Sequence, residues 1–150
     1  MGIKTGGTAP KNWETENGSD PSLKDFGLVE YPLSGYPART KKNVDDADAT
    51  IVIRLQPGNG TDKTIGYAQT KNWCARSTSL DTGYKPVLVI TSLDKSNVQL
   101  INQFLEKHKV RVVNIAGHRE STAPVPKFTA AVKELLLLAF ESFLLIKSDE

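Results

Sequence analysis

The sequence predicts an α/β fold of three layers, a mostly parallel sheet between helices. Two observations carry this. Short apolar runs rich in β-branched residues alternate with segments whose apolar residues recur at helical spacing. The stretches that follow those runs are glycine-rich or polar, as they are where a parallel strand hands over to a helix. Four strands are expected, near residues 28–32, 49–54, 86–91 and 111–115.

Each element has a local reason. Residues 1–25 are rich in Gly, Thr, Pro, Asn and charge and read as loop. Phe26–Pro32 reads as a short strand. Tyr36 to Asp46 reads as a helix, with Pro37 near its first turn. Ala49-Thr-Ile-Val-Ile-Arg54 is a buried strand. The turn Leu55-Gln-Pro-Gly-Asn-Gly-Thr61 leads into a helix over Asp62–Trp73, for which Thr61 is the expected cap or a donor to a bound oxygen. Ala75–Gly83 is a polar connection and Lys85–Thr91 a further strand. Ser96 or Asp94 caps a helix to about Lys109, with Val98, Ile101 and Leu105 on one face. Val110–Ala116 is the next strand, and residues 126–147 form the terminal helix. At 150 residues, the chain reads as one domain spanning 1–150.

Composition narrows the function classes. The net charge is +2, with acids and bases interspersed, which argues against a nucleic-acid or anionic-membrane partner. The single cysteine, Cys74, allows no internal disulfide and fits a cytoplasmic setting. The apolar stretch Leu135–Ile146 is interrupted by Glu141 and is too short to span a bilayer. It reads as a core-facing helix with surplus apolar surface for a second subunit, hence an expected homo-oligomer.

In a parallel sheet, ligands sit beyond the carboxyl ends of the strands. The candidate segments are therefore Gln56–Thr61, Thr91–Asp94 and Gly117–Ser121. Gly58 and Gly60 permit a tight turn, and a helix start offers unpaired N–H groups to an anion. Arg39 and Asn43 are four apart on one helix face, either an anion clamp or a solvated surface. Arg119 suits phosphate, or else pairs with neighbouring acids. Glu120 reads as a cap of the last helix, with a general base as the alternative. His118 reads as a polar contact, with acid–base chemistry as the alternative, and His108 as surface. Asp45, Asp46 and Asp48 can gather Mg²⁺ but are read as closing the helix before the strand. Trp13 and Trp73 either stack on a planar ligand or belong to core or lid. No Ser–His–Asp set, zinc-ligand spacing or Walker turn is present, so the residues argue a pocket rather than a reaction.

Three stretches carry a resemblance. Gly35-Tyr-Pro-Ala-Arg-Thr-Lys-Lys-Asn-Val44, continuing to Ile53, resembles the Tyr–x–x–Arg–Thr–x–x–Asn–Val helix and following strand of the putative molybdenum carrier family, a Rossmann-like branch of the SLOG superfamily. Thr5-Gly-Gly-Thr-Ala-Pro-Lys-Asn-Trp13 resembles that family's Gly-Gly–x–x–Pro–Lys–Gly–Trp segment. Asn114-Ile-Ala-Gly-His-Arg-Glu-Ser121 resembles its Asn–x–Ala–Gly–Pro–Arg–Glu–Ser segment, with His118 in place of proline. The resemblance implies a three-layer Rossmann-like domain and a ligand set of Arg39, Thr40, Asn43, Pro57, Gly58, Asn59, Gly60, Thr61, Arg119, Glu120 and Ser121, with Gly6, Gly7 and Lys11 as additions. It implies an anionic, phosphate-bearing ligand, either molybdenum cofactor or a nucleotide. The family's first strand, Gly-Gly-Gln-Thr-Gly-Ala-Asp turn and helix have no counterpart before Met1, so an N-terminally shortened domain with an unpaired sheet edge is expected. Residues 74–84 read as an insertion. The alternative is a nucleotide-processing enzyme, because Pro57-Gly-Asn-Gly-Thr61 echoes the Pro-Gly-Gly-x-Gly-Thr turn of the related Lonely Guy phosphoribohydrolases. The glutamate that follows that turn has no match here, which favours binding over turnover.

Overall fold

The computed structural model describes residues 2–71 and 84–148. Its strands are β1 (Gly7–Ala9), β2 (Glu14–Thr15), β3 (Gly18–Ser19), β4 (Leu28–Glu30), β5 (Ala49–Ile53), β6 (Val87–Ile90) and β7 (Val113–Gly117). The helices are α1 (Tyr36–Asp46), α2 (Asn59–Thr70), α3 (Asn97–Lys107) and α4 (Phe128–Ser148).

The β-branched run at β5 lies in the middle of a three-stranded parallel sheet, ordered β6-β5-β7, and all five of its residues are buried. Side chains alternate along a strand, so its two faces have different neighbours. Ala49, Ile51 and Ile53 pack with Ile90 against Ile101, Phe104 and Leu105 of α3 and Phe128, Leu135 and Ala139 of α4. On the opposite side, Val44 of α1 packs with Tyr67 and Ala68 of α2. Helices on both sides of a parallel sheet make the expected three layers.

The four expected strands form, with ends moved by one to two residues. One difference concerns residues 1–25. This segment contains a strand, β1, which pairs in parallel with β4 as a separate two-stranded sheet, and the small antiparallel pair β2–β3. The cause is long-range and therefore invisible in local composition. The Asn43 amide accepts from Thr8 N–H through Oδ1 (2.8 Å) and donates to Thr8 O through Nδ2 (3.2 Å), doing for β1 what a neighbouring strand would do. Gly7 is required there, with φ +127° and a Cβ position 3.3 Å from Asn43 Oδ1. A second difference lies in α2. It begins at Asn59 with extended Gly58 as N-cap, so Thr61 is inside the helix rather than capping it. Trp73 and Cys74, with the connection around them, lie outside the described residues. Among the described residues, no helix is long and apolar enough to cross a membrane.

Asp48 fixes the amino end of β5 against the chain entering β7. Its Oδ2 accepts from the N–H groups of Arg111 (2.9 Å) and Val112 (2.8 Å), while its own N–H donates to Val112 O (2.8 Å). The Val112 bond and then the Arg111 bond hold its carboxyl below the ordinary value. A depressed folded value stabilises above the unfolded value of about 3.9, and this contribution fades as pH falls through the folded one. Asp48→Ala should therefore cost about 1 kcal/mol near neutral pH, the usual worth of such bonds at an exposed site. Urea unfolding checks this, and a loss that does not shrink in acid would contradict the electrostatic account.

Candidate functional site

The β5–β7 register places Ile53 opposite Gly117, so the chain leaves both strands side by side. The two exits are tied together. Leu55 N–H donates to His118 Nε2 (3.0 Å), and the Gln56 side-chain amide donates to Thr122 O (3.3 Å). Because Nε2 accepts, the neutral ring carries its proton on Nδ1. The ring meets Phe128 edge-on, with centroids 5.6 Å apart. A Cβ at Gly58 would stand 3.5 Å from His118 Cε1 and 3.3 Å from Thr61 Oγ1, so the N-cap of α2 lies close against the β7 exit.

The first turn of α2 is prepared in the same place. Asp62 N–H donates to Gly58 O (2.9 Å), which leaves the N–H groups of Asn59, Gly60 and Thr61 ahead of the first intrahelical bond. Thr61 is buried and its hydroxyl donates to Gly58 O (3.0 Å). Pro57 and Gln56 are exposed on the approach to this turn. Asp62 is paired with Arg54, Nε to Oδ1 at 2.5 Å, so its carboxylate belongs to the end of β5.

Two cations meet on one ring of α1, and the second follows His118 directly in the chain. Arg39 lies one turn beyond Tyr36 on α1 and places its Cζ 5.5 Å from the Tyr36 ring centroid. Arg119, from the loop after β7, places its Cζ 5.0 Å from the same centroid. Neither has an acidic partner among the described residues, and Arg39 Nε is buried with no acceptor. Burial holds the Arg39 guanidinium below its ordinary value. Tyr36 opposes this, and the like charge of Arg119 adds to it. Sequence reasoning found both arginines and missed Tyr36, although its place three residues before Arg39 was a usable signal.

The other expected residues are occupied differently. Asn43 has both arms of its amide on Thr8. The Thr40 hydroxyl donates back to Tyr36 O (3.0 Å). Ser121 donates to Glu16 Oε2, joining the β2–β3 hairpin to the Arg119 loop. Glu120 caps α4, accepting from Phe128 N–H (3.1 Å) and Thr129 N–H (2.6 Å), and chiefly the Thr129 bonds hold its carboxyl below the ordinary value. Gly6 passes Gly27, a Cβ on it standing 3.3 Å from Gly27 O, and exposed Lys11 lies in a short turn with half-buried Trp13. The three aspartates before β5 go separate ways. Asp45 accepts from the hydroxyls of Tyr67 (3.0 Å) and Tyr84, Asp46 pairs with Lys42 and Asp48 binds backbone. Tyr84 is pushed up to about 12, first by its bond to Asp45. Among the described residues, no cluster of His, Cys, Asp or Glu is arranged to hold a metal ion. A groove of about 580 Å³ between α3 and α4, lined by Val98, Asn102, Ser142, Phe143 and Ile146, shares no residue with the arginine corner.

A three-layer Rossmann-like domain with paired arginines near the carboxyl ends of its strands is the class that these features define. The chain belongs to the circularly permuted YpsA SLOG family, whose model matches residues 1–138. A crystal structure of a protein named putative molybdenum carrier protein, from Syntrophus aciditrophicus SB, is similar at 30% identity and a TM-score of 0.71, covering 89% of this chain and 77% of that one. No curated protein matches the chain.

His118 ties the two strand exits through one acceptor. His118→Ala should leave Leu55 N–H without its partner and cost about 1–3 kcal/mol. Chemical denaturation measures this, and an unchanged midpoint would mean that the bond contributes nothing.

Proposed function

We propose that the protein binds an anionic, phosphate-bearing small molecule at the corner formed by Arg39, Arg119 and the Gly58–Thr61 turn. One observation carries the reading. Two guanidiniums meet on one tyrosine ring without an acidic partner among the described residues. Like charges gathered together, with Arg39 half-buried and Arg119 exposed, cost free energy unless an anion offsets them. The start of α2, with Asn59 and Gly60 exposed, adds N–H groups of the kind that hold phosphate oxygens. Molybdenum cofactor, which the family resemblance implies, is one candidate ligand and accords with the molybdenum carrier name of the similar crystal structure, and a nucleotide is the other. A cytoplasmic carrier is the setting that we infer.

Binding without turnover is favoured over the phosphoribohydrolase reading by what the nearby acids do. Asp62 is paired with Arg54, both Glu120 oxygens take α4 N–H groups, and His118 Nε2 takes Leu55 N–H. A hydrolase needs a base free to reach the attacking water. Residues already holding the fold would have to abandon their partners to serve.

Arg39→Ala and Arg119→Ala should each weaken phosphate binding by about 1.5–3 kcal/mol, the scale of a charge-assisted hydrogen bond. Isothermal calorimetry with inorganic phosphate and nucleoside monophosphates decides this, and unchanged affinity in both variants would refute the site. Release of free base from a nucleotide, abolished by Glu120→Gln or Asp62→Asn, would establish an enzyme instead.

We also propose a homodimer through α4, where Leu144, Leu145 and Ile146 are 43%, 67% and 47% exposed. Light scattering at high micromolar concentration should give twice the monomer mass. A monomer, or a dimer that survives Leu145→Lys, would exclude this face.

A further inference from the structure

The Tyr36 ring raises a question that the arginines alone do not. Each guanidinium is drawn to a tyrosine face, a preference of about 0.5–1 kcal/mol at exposed sites and more when desolvated. Here both address one ring, at 5.5 and 5.0 Å from its centroid. They arrive from opposite parts of the chain, Arg39 along α1 and Arg119 from the loop after β7. The backbone that carries the ring is constrained. Gly35 precedes it at φ +106°, Pro37 follows it in the first turn of α1, and Tyr36 O is held by Thr40. A ring carried on such a backbone gives the two like charges one common contact.

We propose that Tyr36 is the positioning residue of the anion site, spacing Arg39 and Arg119 so that together they take one phosphomonoester in its dianionic form. This rests on the anion-binding reading above and adds the charge state of the ligand and the residue that selects it. The chemistry follows from neutralisation. Two unpaired cations match two negative charges, and a phosphomonoester, with a second pKa of about 6, carries most of both at neutral pH. A sulfate ester has nearly the same shape and only one charge. A guanidinium carries its donors at its edge, so a ring contact made through its face leaves those donors for phosphate oxygens.

The test compares phenyl phosphate with phenyl sulfate by calorimetry at one pH, on the full chain. The parent protein should prefer the phosphate by about tenfold or more, the ratio expected from one charge-assisted hydrogen bond. Tyr36→Phe should keep both the affinity and the preference, since the ring remains. Tyr36→Leu should lose about tenfold in phosphate affinity and most of the preference. Circular dichroism and a thermal midpoint verify that the variant is folded. Rescue by phenylalanine separates positioning from a hydroxyl contact. If Tyr36→Leu does not fold, Arg39→Ala and Arg119→Ala each serve, because removing either cation should abolish the preference. A parent protein that binds both esters equally, or a folded Tyr36→Leu that keeps the full preference, would overturn the inference and leave anion binding standing. A parent that binds neither ester nor inorganic phosphate would overturn the anion site itself, and this inference with it.

Discussion

Complete burial of β5 is the constraint on which the remaining structure depends. Its five residues contribute to both sides of the sheet, so α3 and α4 must cover one face and α1 and α2 the other. A strand in that position cannot tolerate an unpaired backbone, and it has parallel partners on both edges. Parallel pairing forces every crossover to return to the same end. The strand exits at Leu55 and His118 are thereby gathered at one edge of the molecule, before any question of function arises. Polar bonds then make the edge definite: Asp48 at the amino end, and Leu55 to His118 and Gln56 to Thr122 at the carboxyl end.

At that carboxyl edge the polar groups divide into those with partners and those without. Asn43, Thr40, Ser121, Glu120, Asp62 and one nitrogen of His118 all have partners within the fold. Among the described residues, Arg39 and Arg119 share a tyrosine ring and neither has an acidic partner. The division has a physical basis. Carboxylates and amides placed near free N–H groups satisfy them, because an unmade bond in a partly dry site costs more than a made one returns. A guanidinium has five donors and no acceptor, so only acceptors can satisfy it, and among the described residues Arg39 Nε is buried without one. The positive charge left over follows from the partnering of everything else.

Much of the fold was legible in the sequence, and the reasons are specific. Ala49–Ile53 announces itself as a buried strand because a parallel strand covered on both faces reads as a continuous apolar run. Tyr36–Asp46 agrees to the residue because Pro37 marks its first turn and the aspartates its end. The strand at Gly7–Ala9 was not legible. It depends on Asn43, far away in sequence, and glycine-rich composition reads as loop. The start of α2 was misplaced for a related reason. An extended glycine can take the N-cap position, and nothing local tells it from the two glycine positions of a turn.

The candidate site was legible as a set of residue types but not as a set of roles. Resemblance placed Arg39, Asn43, Glu120 and Ser121 together because they stand in motifs, and motifs record what is kept near a site for any reason. Asn43 is needed to hold β1, and Glu120 to start α4. Both therefore shape the corner that the arginines occupy, one through the strand packed beside α1 and the other through the helix that follows the Arg119 loop. A residue of this kind affects ligand affinity only by moving the cations, so its effect should follow the geometry of Arg39 and Arg119 rather than the chemistry of the ligand. Tyr36 differs. Its ring faces both cations, so α1 and the loop after β7 meet there through a cation–ring contact. The chain thus separates the work of building the corner, done by amide and carboxylate bonds to backbone, from the work of charging it. The second task falls to two arginines and the ring that both contact.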